Sequence, residues 1–332
     1  MHNETSKTQR TVLAVLAVVV GLYLMLLAPT QSMQTLKTSL DQALVRLVPF
    51  DDDFFPAIPI LTATYSVWIV LFVLAGATLV MFTKKLYDGE KWARATALGL
   101  LALPSVGGMA MIIPWFVLVL AEYPQKGVPP ATLSGMPTVA PVLFVGLIAY
   151  LIVLLADQDS MVAKLQKLVP YVFIGIVAGM VFMNGQHGAR YFIHIPGNFI
   201  RGADGLIHMN PDAPTILSPL AHAITNLDHL DWRTFEYLTD EAVYSPQTLA
   251  LLLGGYLLYV SSALLVLSIP FMAMKNKFGW YLATSTALAT AVVSFQGFVV
   301  RSSTEWLQGG ALSLVLLIIL LIPMFKKHLI EE

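Results

Sequence analysis

The sequence predicts an all-α integral membrane protein of about eight transmembrane helices, with amphipathic helices on its outer face and one outside segment, residues 185–246. Three observations predict this class. Of 332 residues, 57% are hydrophobic and 12% charged, and the mean hydropathy is +0.74. A soluble domain carries about 25% charge, and half of that cannot coat a water-facing globule. The apolar residues are also gathered into runs long enough to cross hydrocarbon, which takes about 20 residues per helix. Finally, the cations concentrate in alternate connections between the runs, as positive-inside sorting demands.

Composition excludes several function classes. With 19 Lys+Arg against 20 Asp+Glu the net charge is −1, so the chain has no basic field for nucleic acid. It has no cysteine, which removes a disulfide framework, a thiolate metal site and a cysteine nucleophile.

Taken in order, the first run covers residues 11–29, behind Lys7 and Arg10. Leu27-Ala28-Pro29-Thr30 offers no small-x-small cleavage site, so the run reads as an uncleaved span rather than a signal peptide. Leu36, Leu40, Leu44, Leu47 and Val48 then recur at helical spacing within 34–48, ahead of Asp51, Asp52 and Asp53. Such a stretch predicts an amphipathic helix lying in the interface plane. The second run is 60–83 and the third 95–121. Pro104, Pro114 and the polar Ser105–Gly108 stretch interrupt the third, which reads either as a kinked packing helix or as a discontinuous helix lining a site. Runs at 138–156, 168–184, 247–273, 279–300 and 309–325 complete the eight.

With the N-terminus inside, twelve of the cations fall on the inner side: Lys7, Arg10, Lys84, Lys85, Lys91, Arg94, Lys164, Lys167, Lys275, Lys277, Lys326 and Lys327. The longer outer connections hold only seven. Both termini are therefore expected in the cytoplasm, in a plasma (bacterial inner) membrane.

The two halves share a layout. Trp92, Ala95 and Thr96 enter the third run as Trp280, Ala283 and Thr284 enter the seventh, 188 residues later. Each half has an amphipathic outer stretch after its first run, Leu217, Leu220, Ile224 and Leu227 being the second-half counterpart. This predicts two four-helix bundles of like orientation, residues 1–157 and 158–332, related as a parallel repeat.

Polar residues near the span ends supply the candidate ligand-binding set. If the fifth helix continues outward, His187, Arg190 and His194 share one stripe. Arg201 follows, and Gln296 and Arg301 sit at the outer end of the seventh run. Two readings compete: a polar pocket at the outer interface for an anion, a headgroup or a quinone carbonyl, or solvated residues beside the interfacial anchors Tyr191, Phe192 and Phe199. Arg301 and Glu305, four apart, pair if the connection is helical. His187 and His194, like His222 and His229, are seven apart, too far for one ion, and no span carries a mid-depth histidine for haem. No metal, cofactor or catalytic residue is therefore expected.

Small-residue stripes are clearer. Gly175 and Gly179 form a G-x-x-x-G, and Ala283, Ala287 and Ala291 repeat every four. They predict close helix packing, either within the chain or against other membrane subunits or a second copy. Mid-depth charges, which ion-coupled carriers use, are missing. The foremost expectation is a non-catalytic integral subunit or scaffold of a larger membrane complex. A carrier or binding protein for a lipidic or small neutral molecule comes second, and an outer-leaflet enzyme third.

Overall fold

The computed structural model describes residues 5–51, 54–55, 57–156, 159–189, 199–204, 207–209 and 246–330. Arg190, His194, the 217–227 stretch and the boundary residues 157 and 158 lie outside these.

Helix is the form the apolar runs must take, because in hydrocarbon each backbone N–H and C=O has only other backbone to bond. Among the described residues seven helices are long and apolar enough to cross a membrane, and the protein is a multi-pass, membrane-embedded chain. The helices are α1 (Lys7–Leu26), α2 (Ala28–Gln42), α3 (Ala57–Met81), α4 (Thr83–Tyr87), α5 (Lys91–Trp115), α6 (Ala140–Leu155), α7 (Met161–Ala189), α8 (Pro246–Ala273), α9 (Lys277–Arg301), α10 (Thr304–Leu321) and α11 (Pro323–Lys326). The run expected at 138–156 forms α6, whose 16 residues make it shorter than the other seven.

One expectation is corrected at the N-terminus. The first span and the amphipathic stretch behind it are one helical stretch of 41 residues, Lys7–Leu47. Leu27 keeps a right-handed helical backbone (φ −97°, ψ −41°). Its N–H bonds Tyr23 O at 2.9 Å and Gln31 N–H bonds Leu27 O at 3.1 Å, which carries the ladder past Pro29. α2 therefore stands along α3 and the end of α5. Its buried stripe is Ala28, Ser32, Thr35, Leu36 and Ser39, whereas Leu44 is exposed. Thr35 Oγ1 accepts from Val139 N–H at 2.9 Å and so holds the start of α6.

α1 packs along α3, α3 on α5, α5 on α6, and α6 returns to α1. Likewise α7 packs on α8, α8 on α9, α9 on α10, and α10 returns to α7. α5 meets α7 and α8, and one continuous apolar core runs through both sets. Two links at the basic end are alike in kind. Arg94, at the start of α5, donates to Val153 O and Leu154 O in the last turn of α6, at 2.9–3.1 Å. Trp280, at the start of α9, donates to Leu320 O in the last turn of α10, at 2.9 Å. Each closes carbonyls that a helix end leaves without intrahelical donors.

The third span is a continuous helix through Pro104 and the 105–108 stretch, which favours packing over a break. Pro104 fills the space over Gly146, where an added Cβ would stand 2.8 Å from its ring. One turn before Pro114, the Tyr65 hydroxyl donates to Met111 O at 2.8 Å.

Past Trp115 the helix widens into a five-residue π turn, Phe116–Leu120, and α2 ends in another, Ala43–Leu47. The two turns touch. Arg46, 6% exposed, projects from one into the carbonyl end of the other. Its guanidinium donates to Leu118 O (2.9 Å), Val119 O (3.3 Å), Ala121 O (3.2 Å) and Pro129 O (3.3 Å). A cation at a helix C-terminus meets both the orphan carbonyls and the negative end of the dipole.

The small-residue stripes are used inside the chain. Ala283 and Ala287 are fully buried, and Gly179 faces the Met109 side chain of α5. Gly175 alone of the four residues opens onto free space.

After α11 the chain docks back on the bundle, with Leu329 and Ile330 buried and His328 Nε2 2.9 Å from Gln166 Oε1. Burial, then Lys327 and Lys167, hold the His328 pKa below the ordinary histidine value. The folded state therefore binds this proton less tightly than the unfolded chain. The contact stabilises above the ordinary histidine range, and that stability is lost as pH falls through it. Lowering pH from about 7 to about 5 should reduce the melting temperature in detergent, and His328→Gln should flatten that slope.

Candidate functional site

Polar side chains converge where α7 ends and α9 passes into α10. α7 finishes in Asn184-Gly185-Gln186-His187-Gly188-Ala189. Gly188 exists there because α8 is against it: an added Cβ would stand 2.5 Å from Leu251 O and 2.8 Å from Gly255 Cα. Asn184 is 1% exposed. Its Nδ2 donates to Glu305 O at 3.1 Å, across to the first turn of α10. Gly309, one turn on, makes room for that amide, since a Cβ there would collide with Asn184 Nδ2 and stand 3.2 Å from Ser294 Oγ.

His187 Nδ1 lies 3.3 Å from Glu305 Oε1. The imidazole meets the Trp306 ring edge-on, with centroids 6.2 Å apart at 85°. Trp306 is fully buried and covers Gly297, where any Cβ would enter the indole. Gln186 Nε2 donates to Thr64 Oγ1 at 3.0 Å, tying the end of α7 to α3. Several buried atoms of the cluster have no hydrogen-bond partner: Asn184 Oδ1, Gln186 Oε1, Ser294 Oγ, Ser303 Oγ and the Trp306 indole N–H. Buried polar atoms ordinarily find partners, so these atoms have hydrogen-bonding capacity left for water or a small polar molecule.

Of the residues expected from sequence, His187 belongs to this cluster. Arg190 and His194 lie outside the described residues. Arg201 is in a short strand, β1 (Phe199–Arg201), paired antiparallel with β2 (Ile207–Met209), Arg201 opposite Ile207. This is the one strand pairing among the described residues.

Gln296 stands apart from this cluster. Ser294 and Gly297 face inward, and a helix turns about 100° per residue, so Gln296 is carried to the exposed surface of α9. The connection between Arg301 and Glu305 is not helical, so the condition for an i, i+4 pair is not met. Ser302 adopts the left-handed region (φ 56°) and ends α9. Arg301, half-buried, is the last residue of one helix and Glu305 lies in the first turn of the next, turned to His187.

The chain matches no family model, no curated protein and no solved structure.

Asn184, Ser294, Trp306 and Gly309 are members of the cluster that the sequence left unmarked. The signals for two of them were faint: Asn184 is a lone amide closing an apolar run, and Ser294 is three residues beyond Ala291 on the small-residue stripe. Chemically the cluster offers one indole donor, amide and hydroxyl acceptors, and a His–Glu pair. Such a set has the donors and acceptors that a small neutral polar molecule would need. Among the described residues no three His, Asp or Glu side chains converge as metal ligands do.

Proposed function

We propose that this multi-pass protein is a non-catalytic integral subunit or scaffold of a larger membrane complex. One observation carries the reading. Among the buried described residues Arg46 is the one charged side chain, and it is occupied in closing the end of α5. Ion-coupled carriers and proton relays need ionisable groups in the interior. Arg94 is likewise spent on the end of α6. Since Gly179, Ala283 and Ala287 are used within the chain, a partner subunit or second copy meets another face, and Gly175 is the small residue left open to it.

The parallel-repeat organisation is part of the proposal. The like circuits of the two helix sets and the matched caps by Arg94 and Trp280 support it. The charge asymmetry of the sequence supports cytoplasmic termini in a plasma (bacterial inner) membrane.

The test is the mass of the native particle in mild detergent. Stoichiometric partners beyond the 36.3 kDa chain are the expected result. The chain running alone, as a monomer or a homo-oligomer, overturns it. The unpartnered Asn184, Ser294 and Trp306 atoms favour a second reading, a carrier or binding protein for a small neutral or lipidic molecule. A monomer that retains such a molecule, and loses it in Asn184→Leu, supports that reading.

A further inference from the structure

At the basic end of the bundle a notch of about 230 Å³ is lined by Lys277, Trp280, Tyr281, Lys326 and Ile330. Tyr281 also borders an apolar groove of about 440 Å³ running along α9, with Leu282, Thr284, Ser285 and Leu288 on one wall and Leu317 of α10 on the other. We propose that notch and groove together seat one anionic glycerophospholipid, its phosphate between Lys277 and Lys326 and one acyl chain along α9.

The charge argues for the headgroup. Lys277 is the first residue of α9, so its ammonium adds to the positive end of the helix dipole. Lys326 Nζ lies 4.5 Å from the centre of the Trp280 ring. Trp280 is itself fixed by its bond to Leu320 O at 2.9 Å. Among the described residues no carboxylate pairs with either lysine. Basic pockets between transmembrane helices recognise anionic headgroups in this way, and a Trp–Tyr pair beside them is typical of the interface level.

The groove argues for a hydrocarbon chain rather than a soluble anion. Its two polar residues present no free hydrogen-bonding demand. Thr284 Oγ1 donates to Trp280 O at 2.8 Å and Ser285 Oγ to Tyr281 O at 2.8 Å, each within its own helix. The wall that remains is aliphatic and aromatic, with Phe278, Tyr281 and Leu288 exposed. Tyr281 is a wall of both the notch and the groove, so one diacyl lipid spans the two.

The full chain, purified in mild detergent, is equilibrated with mixed micelles of phosphatidylglycerol and phosphatidylcholine of identical chains. Retained lipid is counted by mass spectrometry. Quenching by brominated chains, taken as the difference from Trp280→Phe, reports whether a chain lies at the groove. Glu331 and Glu332, which follow Ile330 and lie outside the described residues, are kept in every variant.

Phosphatidylglycerol should be preferred, with Trp280 quenched. The double variant Lys277→Ala/Lys326→Ala should reduce that preference about thirtyfold, from roughly a fivefold contribution of each surface cation. Lys277→Arg/Lys326→Arg should retain most of it. Ser285→Phe, which fills the groove and spares the lysines, should lower retention. Equal retention of the two lipids, or an unchanged preference in the alanine variant, overturns the proposal. So does displacement by millimolar inorganic phosphate, which would make the notch a free-anion site. Lys277 is exposed and Lys326 half-buried, and an unchanged melting temperature confirms that the variants fold.

Discussion

Arg46→Ala should destabilise the protein by about 3–5 kcal/mol, read as a lower melting temperature and faster proteolysis of the 121–139 connection. The guanidinium makes four contacts with carbonyl oxygens, three of them at the end of the π turn Phe116–Leu120. Without it the Leu118 and Val119 oxygens stay buried with no donor, and the loss is chiefly their desolvation cost. The geometry makes a sharper claim through Arg46→Lys. An ammonium keeps the charge but presents its donors from a single point, whereas the guanidinium fork reaches several carbonyls at once. Lysine should therefore recover only part of the loss. Full recovery would mean that charge alone matters there, and no loss in Arg46→Ala would mean that water replaces the side chain.

Gly188→Leu should be comparably disruptive, costing about 3 kcal/mol or more and leaving little monodisperse protein in size-exclusion chromatography. The obstruction is backbone: Leu251 O stands 2.5 Å and Gly255 Cα 2.8 Å from the position of the new Cβ. No rotamer relieves that contact, so α7 and α8 must separate and the Asn184–Glu305 bridge beside them is lost. Gly175→Leu, on the same helix, is the control. Nothing lies within 4 Å of its Cβ position. The isolated chain should keep its stability within about 0.5 kcal/mol. If Gly175 meets a partner, this variant loses the higher-mass particle and retains a folded monomer. Gly179→Leu should fall between the two, because the obstructing group is the movable end of Met109.

The contrast between Gly175 and Gly179 shows how far sequence reaches in this chain. Their spacing announces a close helix contact, but four residues are slightly more than one turn. Only the position of α5 decides that Gly179 meets a neighbour and Gly175 does not. Arg46 and Arg94 are a second instance. Counted along the chain they are two loop-end cations; in the folded bundle they close helix ends 72 and 59 residues away. Gln296 and Ser294, two residues apart, differ only by rotation about α9, and that rotation puts one at the surface and the other in the polar cluster.

By itself the sequence determined the membrane class, the helical form and the approximate limits of each span. These follow from local facts: every apolar run must bond its own backbone in hydrocarbon, whatever surrounds it. Tertiary structure decided the rest. It fused the first span with the stretch behind it, and it set Asn184, His187, Ser294 and Trp306 together from three helices distant in sequence. Those outcomes depend on the rotation, register and separation of neighbouring helices. Side-chain contacts across the bundle set these quantities, and an apolar pattern that is nearly uniform around each helix does not encode them.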